Sequence, residues 1–254
     1  MTSTQHPITL ITGGSRGLGA QMALDLARDG HDIVLTYREA SSAANDVVAQ
    51  IQALGRRALA MPLDVADTNS FPAFVEKLRA GLSAWSASQL DGLINNAGMG
   101  AHASFAETTP AQFEMLLNVH LKGPFFLTQA LLPLLADGAR ILNISSGLAR
   151  FAIPGYGAYA AMKGAMEVLT RYQAKELAGR GIRVNTLAPG AIATDFGGGA
   201  VRDNAELNRF VASITALGRV GEPEDIGGAA AALMRPGAGW ITGQRVEASG
   251  GMFL

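Results

Sequence analysis

Residues 8–19 of the chain read ITLITGGSRGLG, a β-branched run followed at once by a glycine-rich turn. The residues after it, from Ala20 to about Asp29, favour a helix that ends at Gly30. Glycines spaced in this way let the backbone turn tightly and approach a pyrophosphate, whose charge is favoured at a helix N-terminus. The stretch therefore predicts a nucleotide-binding strand–turn–helix unit. The alternative is a plain tight turn, and the spacing differs by one residue from the commonest dinucleotide fingerprint.

Strand-like and helix-like segments alternate along the rest of the chain. Further strands are predicted at 32–37, 57–61, 92–95, 140–144, 182–187 and 241–246, and helices at 42–54, 70–84, 110–135, around Tyr159 and at 223–234. This alternation is typical of a parallel sheet covered by helices on both faces. No linker or repeat divides residues 1–254, so we predict one domain. Residues 191–217 break the alternation and are predicted to form a substrate loop or lid.

The composition excludes several classes of function. The 254 residues carry 20 Lys and Arg against 21 Asp and Glu, and this balance argues against nucleic-acid or anionic-membrane partners. There is no cysteine, which excludes disulfides and thiol catalysis, and the four histidines have no ligand spacing, so no metal site is predicted. No signal-like or membrane-spanning apolar run is found, and a cytoplasmic protein is expected.

A second informative stretch runs from Ser145 to Lys163. Tyr159 and Lys163 are four residues apart and share one face of a predicted helix, while Ser145 and Ser146 stand where a buried strand ends. A cation beside a phenol lowers the pKa of the phenol, which suits it to exchange a proton with a carbonyl or alcohol oxygen. A serine hydroxyl can hold the same oxygen. The alternative is an ordinary surface pair on an exposed helix.

The end of the second predicted strand bears on the choice of cofactor. An acidic residue there would bind a ribose 2′-hydroxyl, whereas an arginine would accommodate a 2′-phosphate. The chain has Tyr37 and Arg38, with no carboxylate before Glu39, and a further arginine, Arg16, in the glycine turn. The guanidinium fork suits phosphate, so we predict NADP(H) rather than NAD(H). The alternative is that Arg38 is an ordinary solvated charge and Arg16 caps a helix.

Five motifs occur in a fixed order: Thr12 to Gly19, Asn95-Asn96-Ala97-Gly98, Ser146, Tyr159-x-x-x-Lys163 and Pro189-Gly190. With them the chain resembles the short-chain dehydrogenase/reductase family, nearest to the 3-oxoacyl-[acyl-carrier-protein] reductase group. The resemblance implies an α/β, single-domain, Rossmann-like doubly wound sheet of about seven parallel strands. It selects Ser146 over Ser145, because the number of residues between Ser146 and Tyr159 in the sequence is the one usual in the family. It also implies that Asn118 completes a catalytic set of Asn118, Ser146, Tyr159 and Lys163 by shaping its helix and holding a water of the proton relay.

The same resemblance implies a set of cofactor-binding residues. Asp64 and Val65 would contact the adenine, and Ile192 and Thr194 would hold the nicotinamide carboxamide. Asn95 and its neighbours would brace the sheet and lie along the cofactor. The full set is Gly13, Ser15, Arg16, Gly17, Leu18, Gly19, Tyr37, Arg38, Asp64, Val65, Asn95, Ala97, Gly98, Tyr159, Lys163, Pro189, Gly190, Ile192 and Thr194.

The expected activity is hydride transfer between NADP(H) and a carbonyl or secondary alcohol. The substrate is expected to be a small ketone or an acyl thioester, and the protein a homotetramer or homodimer, as this family commonly forms. Residues 130–140 have no basic residue before Arg140, whereas carrier-protein reductases often place basic residues there. Two alternatives remain: an NAD-linked alcohol dehydrogenase that works oxidatively, and a non-catalytic nucleotide sensor on the same fold.

Overall fold

The computed structural model describes residues 6–254, which form one seven-stranded sheet with every neighbouring pair of strands parallel. Along the sheet the order is β3-β2-β1-β4-β5-β6-β7. The strands are β1 (Ile8–Ile11), β2 (Asp32–Tyr37), β3 (Ala58–Pro62), β4 (Leu90–Asn95), β5 (Leu135–Ile144), β6 (Arg183–Pro189) and β7 (Arg245–Ala248). The predicted α/β class and sheet of about seven parallel strands are confirmed.

Helices connect the strands and cover both faces of the sheet. They are α1 (Gly17–Arg28), α2 (Ser41–Ala53), α3 (Phe71–Ala84), α4 (Pro110–Leu117), α5 (Gly123–Leu131), α6 (Gly157–Glu176), α7 (Ala200–Asp203), α8 (Ala205–Ser213) and α9 (Pro223–Met234). Among these described residues, no helix has both the length and the apolar content needed to cross a membrane.

Successive residues of the central strands supply two separate cores. Leu10, Leu93 and Ile141 pack on one face with apolar residues of α3 and α5. Their neighbours along each strand, Ile11, Ile94 and Leu142, pack on the other face with α1, α2 and α9. Because side chains alternate along a strand, a strand buried on both faces needs a continuous apolar run. The sequence ITLI of β1 meets this need.

The strand order reverses direction at β1, which pairs with β2 on one side and β4 on the other. In open parallel sheets, ligands bind in the crevice beyond the carboxyl ends of the strands at this point. The glycine turn follows β1 at this edge, so the topology places the predicted nucleotide site where such sheets bind ligands.

Two predicted elements differ from the structure. The last strand runs from Arg245 to Ala248 rather than 241–246, because Gly243 has a left-handed φ of +69° that extended backbone does not allow. The single helix predicted at 110–135 is interrupted by a π-helical turn at Asn118–Lys122 and ends at Leu131, so that β5 begins at Leu135.

The segment predicted to be a lid contains short helices rather than an extended loop. Gly197, Gly198 and Gly199 all have positive φ, and α7 and α8 follow them. At its end, Ala216 and Leu217 donate backbone hydrogen bonds to the carbonyl oxygens of Gly251 and Gly250 near the C-terminus. Its role as a lid stays a prediction.

Candidate active site

The glycine turn is fixed by the strands on either side of it. The Gly14 amide donates to the Thr36 carbonyl oxygen at 2.8 Å. Gly13 has a φ of +67°, and a Cβ added there would lie 2.9 Å from the Ala97 Cα. A Cβ on Gly19 would lie 2.2 Å from the Gly13 carbonyl oxygen. These positions accept no side chain, so the backbone of the turn stays open to a ligand.

Asn96 holds this turn against the end of β4. Its Nδ2 donates to the carbonyl oxygens of Thr12 and Gly13 at 2.8 and 3.1 Å. The Thr12 hydroxyl in turn accepts from the backbone amides of Asn96 and Ala97, both at 3.0 Å. Asn96 belongs to a motif that the sequence singled out, yet its side-chain contact with the glycine turn was not predicted.

Asn95 belongs to the motif that the resemblance expected to brace the sheet and to lie along the cofactor, and it directs its side chain into the protein. Its Nδ2 donates to Thr128 Oγ1 at 3.1 Å and to Asn143 Oδ1 at 2.8 Å. Asn143 then donates to Thr170 and Gln173 on α6. The Asn95 side chain therefore braces the sheet, and its neighbours Ala97 and Gly98 lie nearer to solvent.

Except for Tyr159 and Lys163 on α6, the predicted cofactor-binding residues lie at or after the carboxyl ends of five strands, with Asn95, Ala97 and Gly98 at and after β4. After β1 come Gly13, Ser15, Arg16, Gly17, Leu18 and Gly19; at and after β2, Tyr37 and Arg38; after β3, Asp64 and Val65; and at and after β6, Pro189, Gly190, Ile192 and Thr194. Gly17 lies next to the Thr194 side chain, since an added Cβ would be 3.8 Å from it. The first and last of these segments are therefore in contact.

Both arginines invoked for the cofactor are exposed. Arg16 precedes α1 and Arg38 follows β2, where the Arg38 side chain is 59% exposed and its Nε lies 3.0 Å from Glu39 Oε1. An exposed ion pair of this kind contributes little stability and leaves the guanidinium free to exchange partners. Arg38 also lines a cleft of about 390 Å³ together with Met99 and Asn118.

Tyr159 and Lys163 are both buried on α6, with only 7% and 5% of their surface exposed. The Lys163 ammonium donates to the Ile144 carbonyl oxygen at 2.7 Å and lies 5.6 Å from the centre of the Tyr159 ring. Ser146 follows β5, and its hydroxyl is hydrogen-bonded to Tyr159 and accepts from the Leu148 amide at 3.2 Å. The structure thus brings these three predicted catalytic side chains together.

The pKa of Tyr159 is raised in the structure, whereas the sequence predicted that Lys163 would lower it. Burial raises the pKa of the Tyr159 phenol above its ordinary value, and the hydrogen bond with Ser146 offsets only part of that rise. Burial also lowers the pKa of Lys163 to about 8. The Lys163 ammonium bonds to a backbone carbonyl rather than to the phenol oxygen, so desolvation is the larger effect on Tyr159.

The ion pair between Glu167 and Arg245 lies next to the catalytic segment. Glu167, one helical turn after Lys163, accepts from Ser145 Oγ and from Arg245 Nε, both at 2.7 Å. The Ser145 hydroxyl also lies 3.2 Å from the Lys163 carbonyl oxygen. The end of β5, helix α6 and strand β7 are therefore joined directly behind Ser146.

Two aromatic rings, those of His120 and Phe196, pack against the Tyr159 ring. The Phe196 ring lies 5.9 Å from the Tyr159 ring, and Tyr156 packs edge-on against His102 at 5.1 Å. Phe151 packs on Phe253, and Phe105 is 98% exposed.

Within residues 6–254 no group of three His, Cys, Asp or Glu side chains could hold a metal ion.

Comparison with known proteins identifies the family. Residues 13–253 match the family model described as "Enoyl-(Acyl carrier protein) reductase". A 3-oxoacyl-[acyl-carrier-protein] reductase of Synechocystis is 35% identical over 257 residues and is covered completely, as is this chain. The chain belongs to the short-chain dehydrogenase/reductase family.

Solved structures of related enzymes agree with this assignment. A short-chain dehydrogenase/reductase from Serratia marcescens is 30% identical, with a TM-score of 0.90 over 98% of this chain and 99% of that one. The angucycline C-6 ketoreductase LanV, solved with bound NADP, is 35% identical, with a TM-score of 0.92 over 97% of this chain and 95% of that one. This member of the short-chain dehydrogenase/reductase family is thus an oxidoreductase by descent, among relatives that include ketoreductases.

The fourth residue of the catalytic set expected for a short-chain dehydrogenase/reductase is Asn118, and its part in the proton relay stays a prediction. Asn118 begins the π-helical turn, half-buried beside the cleft that Arg38 lines, and its side chain makes no hydrogen bond with any described residue. His120, two residues later, packs its ring edge-on against Tyr159 with the centres 5.1 Å apart. The sequence offered a signal, a histidine inside the predicted helix, but nothing in its spacing distinguished it from the other scattered histidines.

Proposed function

We propose that this chain is a cytoplasmic NADPH-dependent ketoreductase that reduces the carbonyl group of a small-molecule substrate to a secondary alcohol. One observation carries the proposal: Ser146, Tyr159 and Lys163 converge in one buried site at the carboxyl edge of the sheet. A protein that only bound nucleotide would gain nothing from a buried phenol and a buried ammonium, since burying either costs free energy.

The residues at this edge fit a dinucleotide with a 2′-phosphate. The turn at Gly13 and Gly19 has no room for side chains, as a pyrophosphate held by backbone amides requires. Arg16 and Arg38 would hold the 2′-phosphate, and the Glu39 carboxylate next to Arg38 in the sequence is paired with it. When bound, NADPH supplies the hydride. The NADP bound to LanV supports the same choice by analogy.

The site residues divide the proton chemistry among them. Ser146 donates a hydrogen bond to the substrate carbonyl oxygen, and Tyr159 donates its proton to that oxygen as the alcohol forms. Because burial raises its pKa, Tyr159 is protonated near neutral pH, which is the state that reduction requires. Lys163, with a pKa of about 8, stabilises the phenolate left on Tyr159 and can return a proton to it.

The same protonation state bears on the alternative of an oxidative NAD-linked dehydrogenase. Oxidation of an alcohol requires Tyr159 to accept a proton, and so to be a phenolate before the reaction starts. A raised pKa opposes this, and it supports the reductive direction. We propose that the substrate is either a ketone or an acyl thioester, because the relatives include a ketoreductase and a 3-oxoacyl-[acyl-carrier-protein] reductase.

A binding titration followed by a ketone panel tests the proposal. NADPH and NADH are titrated separately, with nicotinamide fluorescence as the signal, and NADH is expected to bind at least ~10-fold more weakly, about 1.4 kcal/mol. The variants R16A and R38A should each reduce this preference by weakening NADPH alone. A preference for NADH would contradict the cofactor assignment, and absence of turnover on every ketone would contradict the activity.

We also propose that the protein is a homotetramer or homodimer. Large apolar side chains remain exposed on α4, α5 and α6, and a partner copy would cover them: Phe113, Phe125, Phe126, Val168 and Tyr172. Light scattering on the eluting peak of a size-exclusion column gives the mass directly. A monomer at micromolar concentration would contradict this proposal without affecting the catalytic one.

A further inference from the structure

His120 is an ionisable side chain packed against Tyr159 to which the proposed reaction gives no part. It lies in the middle of the π-helical turn and is only 2% exposed. Its Nε2 is 2.7 Å from the Met99 carbonyl oxygen, and its ring meets the Tyr159 ring at an interplanar angle of 87°. The imidazole therefore connects the loop after β4 with the phenol that donates the proton.

The two nitrogens of His120 have different surroundings. The short distance to a carbonyl oxygen requires that Nε2 carries the hydrogen and donates it to Met99. Nδ1 is then an acceptor, and it is one of three buried side-chain atoms without a hydrogen-bond partner among residues 6–254. A buried polar atom in this state costs free energy. Packing alone would be served better by an apolar residue.

The ring is neutral at every pH at which the enzyme would work. Burial is the main cause, and the charge of Lys163 adds to it; together they lower the pKa of His120 to about 3. The other titratable groups that act on Tyr159 and His120 are Tyr156 and Lys163. A neutral imidazole leaves Lys163 as the only cation beside the phenol.

We propose that His120 is a positioning residue for Tyr159: its hydrogen bond to the Met99 carbonyl oxygen fixes the imidazole, and the imidazole edge fixes the plane of the phenol ring. This rests on the proposed function, in which Tyr159 is the proton donor. A proton donor held in one orientation reacts faster, because small misplacements of catalytic groups are costly.

Two substitutions separate the parts of this arrangement. H120Q keeps an amide donor at about the distance of Nε2 from the backbone, and H120F keeps an aromatic edge against Tyr159 but loses the bond to Met99. H31Q is the matched control, because His31 is also buried, also bonded through its ring to one partner, Thr9, and lies outside the site. Each variant is assayed for kcat with NADPH and a reducible ketone, for NADPH affinity and for melting temperature.

A second readout does not depend on turnover. The chain has four tyrosines, and labelling them with ¹³C at Cζ gives a spectrum in which the Tyr159 signal is identified by its loss in Y159F. We expect H120F to shift the Tyr159 signal and its titration, and to lower kcat by roughly 10-fold or more, with NADPH affinity unchanged. H120Q keeps the bond to Met99 but has no aromatic edge against Tyr159, so it should also shift the Tyr159 signal and lower kcat. H31Q should lower the melting temperature alone.

The proposal is overturned if the Tyr159 signal in H120F or in H120Q matches the wild type, or if neither variant lowers kcat. If the wild type reduces no ketone at all, the proposed function fails, while the Tyr159 spectra of the same variants still decide the role of His120.

Discussion

The two sides of the candidate active site differ, because one consists mainly of backbone groups and the other of ionisable side chains. The cofactor side, from Gly13 to Gly19, is a backbone turn held by uncharged partners such as Thr12 and Asn96. The catalytic side, around Tyr159 and Lys163, consists of ionisable side chains buried deeply enough to shift their pKa values. The cofactor side depends on the absence of side chains, and the catalytic side depends on the protonation states of Tyr159 and Lys163.

This difference separates what each side contributes. A backbone turn binds a phosphate with little dependence on pH, because amides do not titrate. Buried phenol and ammonium groups respond to pH and to each other, which proton transfer requires but which costs stability. Substitutions on the cofactor side should therefore change affinity, and substitutions on the catalytic side should change rate. The following predictions test that division.

The largest effect is expected from removing the phenol oxygen. Y159F keeps the ring against His120 and Phe196 but removes the proton donor, so kcat for ketone reduction should fall by roughly 10³-fold. NADPH affinity, measured by fluorescence, should not change. Weakened NADPH binding with kcat intact would reverse the proposed division.

A smaller effect is expected on the cofactor side from a single methyl group. In G19A the added Cβ would lie 2.2 Å from the Gly13 carbonyl oxygen, so the turn must move. Forcing extra atoms into a packed site costs about 1–3 kcal/mol, which corresponds to roughly 30-fold weaker NADPH binding. At saturating NADPH, kcat should recover to near the wild-type value.

Gly228 provides the control for G19A. It lies within α9, and a Cβ added there has nothing within 4 Å. G228A should leave NADPH affinity unchanged and raise stability slightly, since alanine is the better helix former by about 1 kcal/mol. If G19A bound NADPH as tightly as G228A does, the glycine turn would not be the phosphate site.

The sequence predicted the cofactor side better than the catalytic side, for a physical reason. A glycine that must leave room for a neighbouring carbonyl is recognisable from its position after a strand, because the constraint is local. Asn96 points toward the glycine turn and Asn95 toward Thr128 and Asn143, and these directions depend on how the strands are arranged in the folded sheet. Likewise, the His120 ring that meets Tyr159 lies on the π-helical turn. A regular helix was predicted there, and the sequence carries no clear signal for that turn.

The smallest predicted effect is a pH dependence set by Lys163. Its pKa is lowered from 10.5 to about 8 by burial, so the ammonium is present below pH 8 and lost above it. If the ammonium supports Tyr159, kcat/KM for ketone reduction should be flat below this pH and fall about tenfold per unit above it. A plateau extending past pH 9.5 would show that the charge of Lys163 is not needed.

Stability should change in the opposite direction over the same range, which separates this effect from alkaline unfolding. Between pH 8 and 10.5 the unfolded chain keeps the Lys163 proton that the folded chain has released. Stability rises with pH wherever the unfolded state binds more protons, so the contribution of Lys163 to the free energy of unfolding increases there. In K163M that contribution disappears, and the wild type should gain melting temperature relative to K163M as the pH rises from 8 to 10. If kcat/KM falls over the same pH range in which the melting temperature rises relative to K163M, the Lys163 charge supports the reaction and destabilises the folded protein.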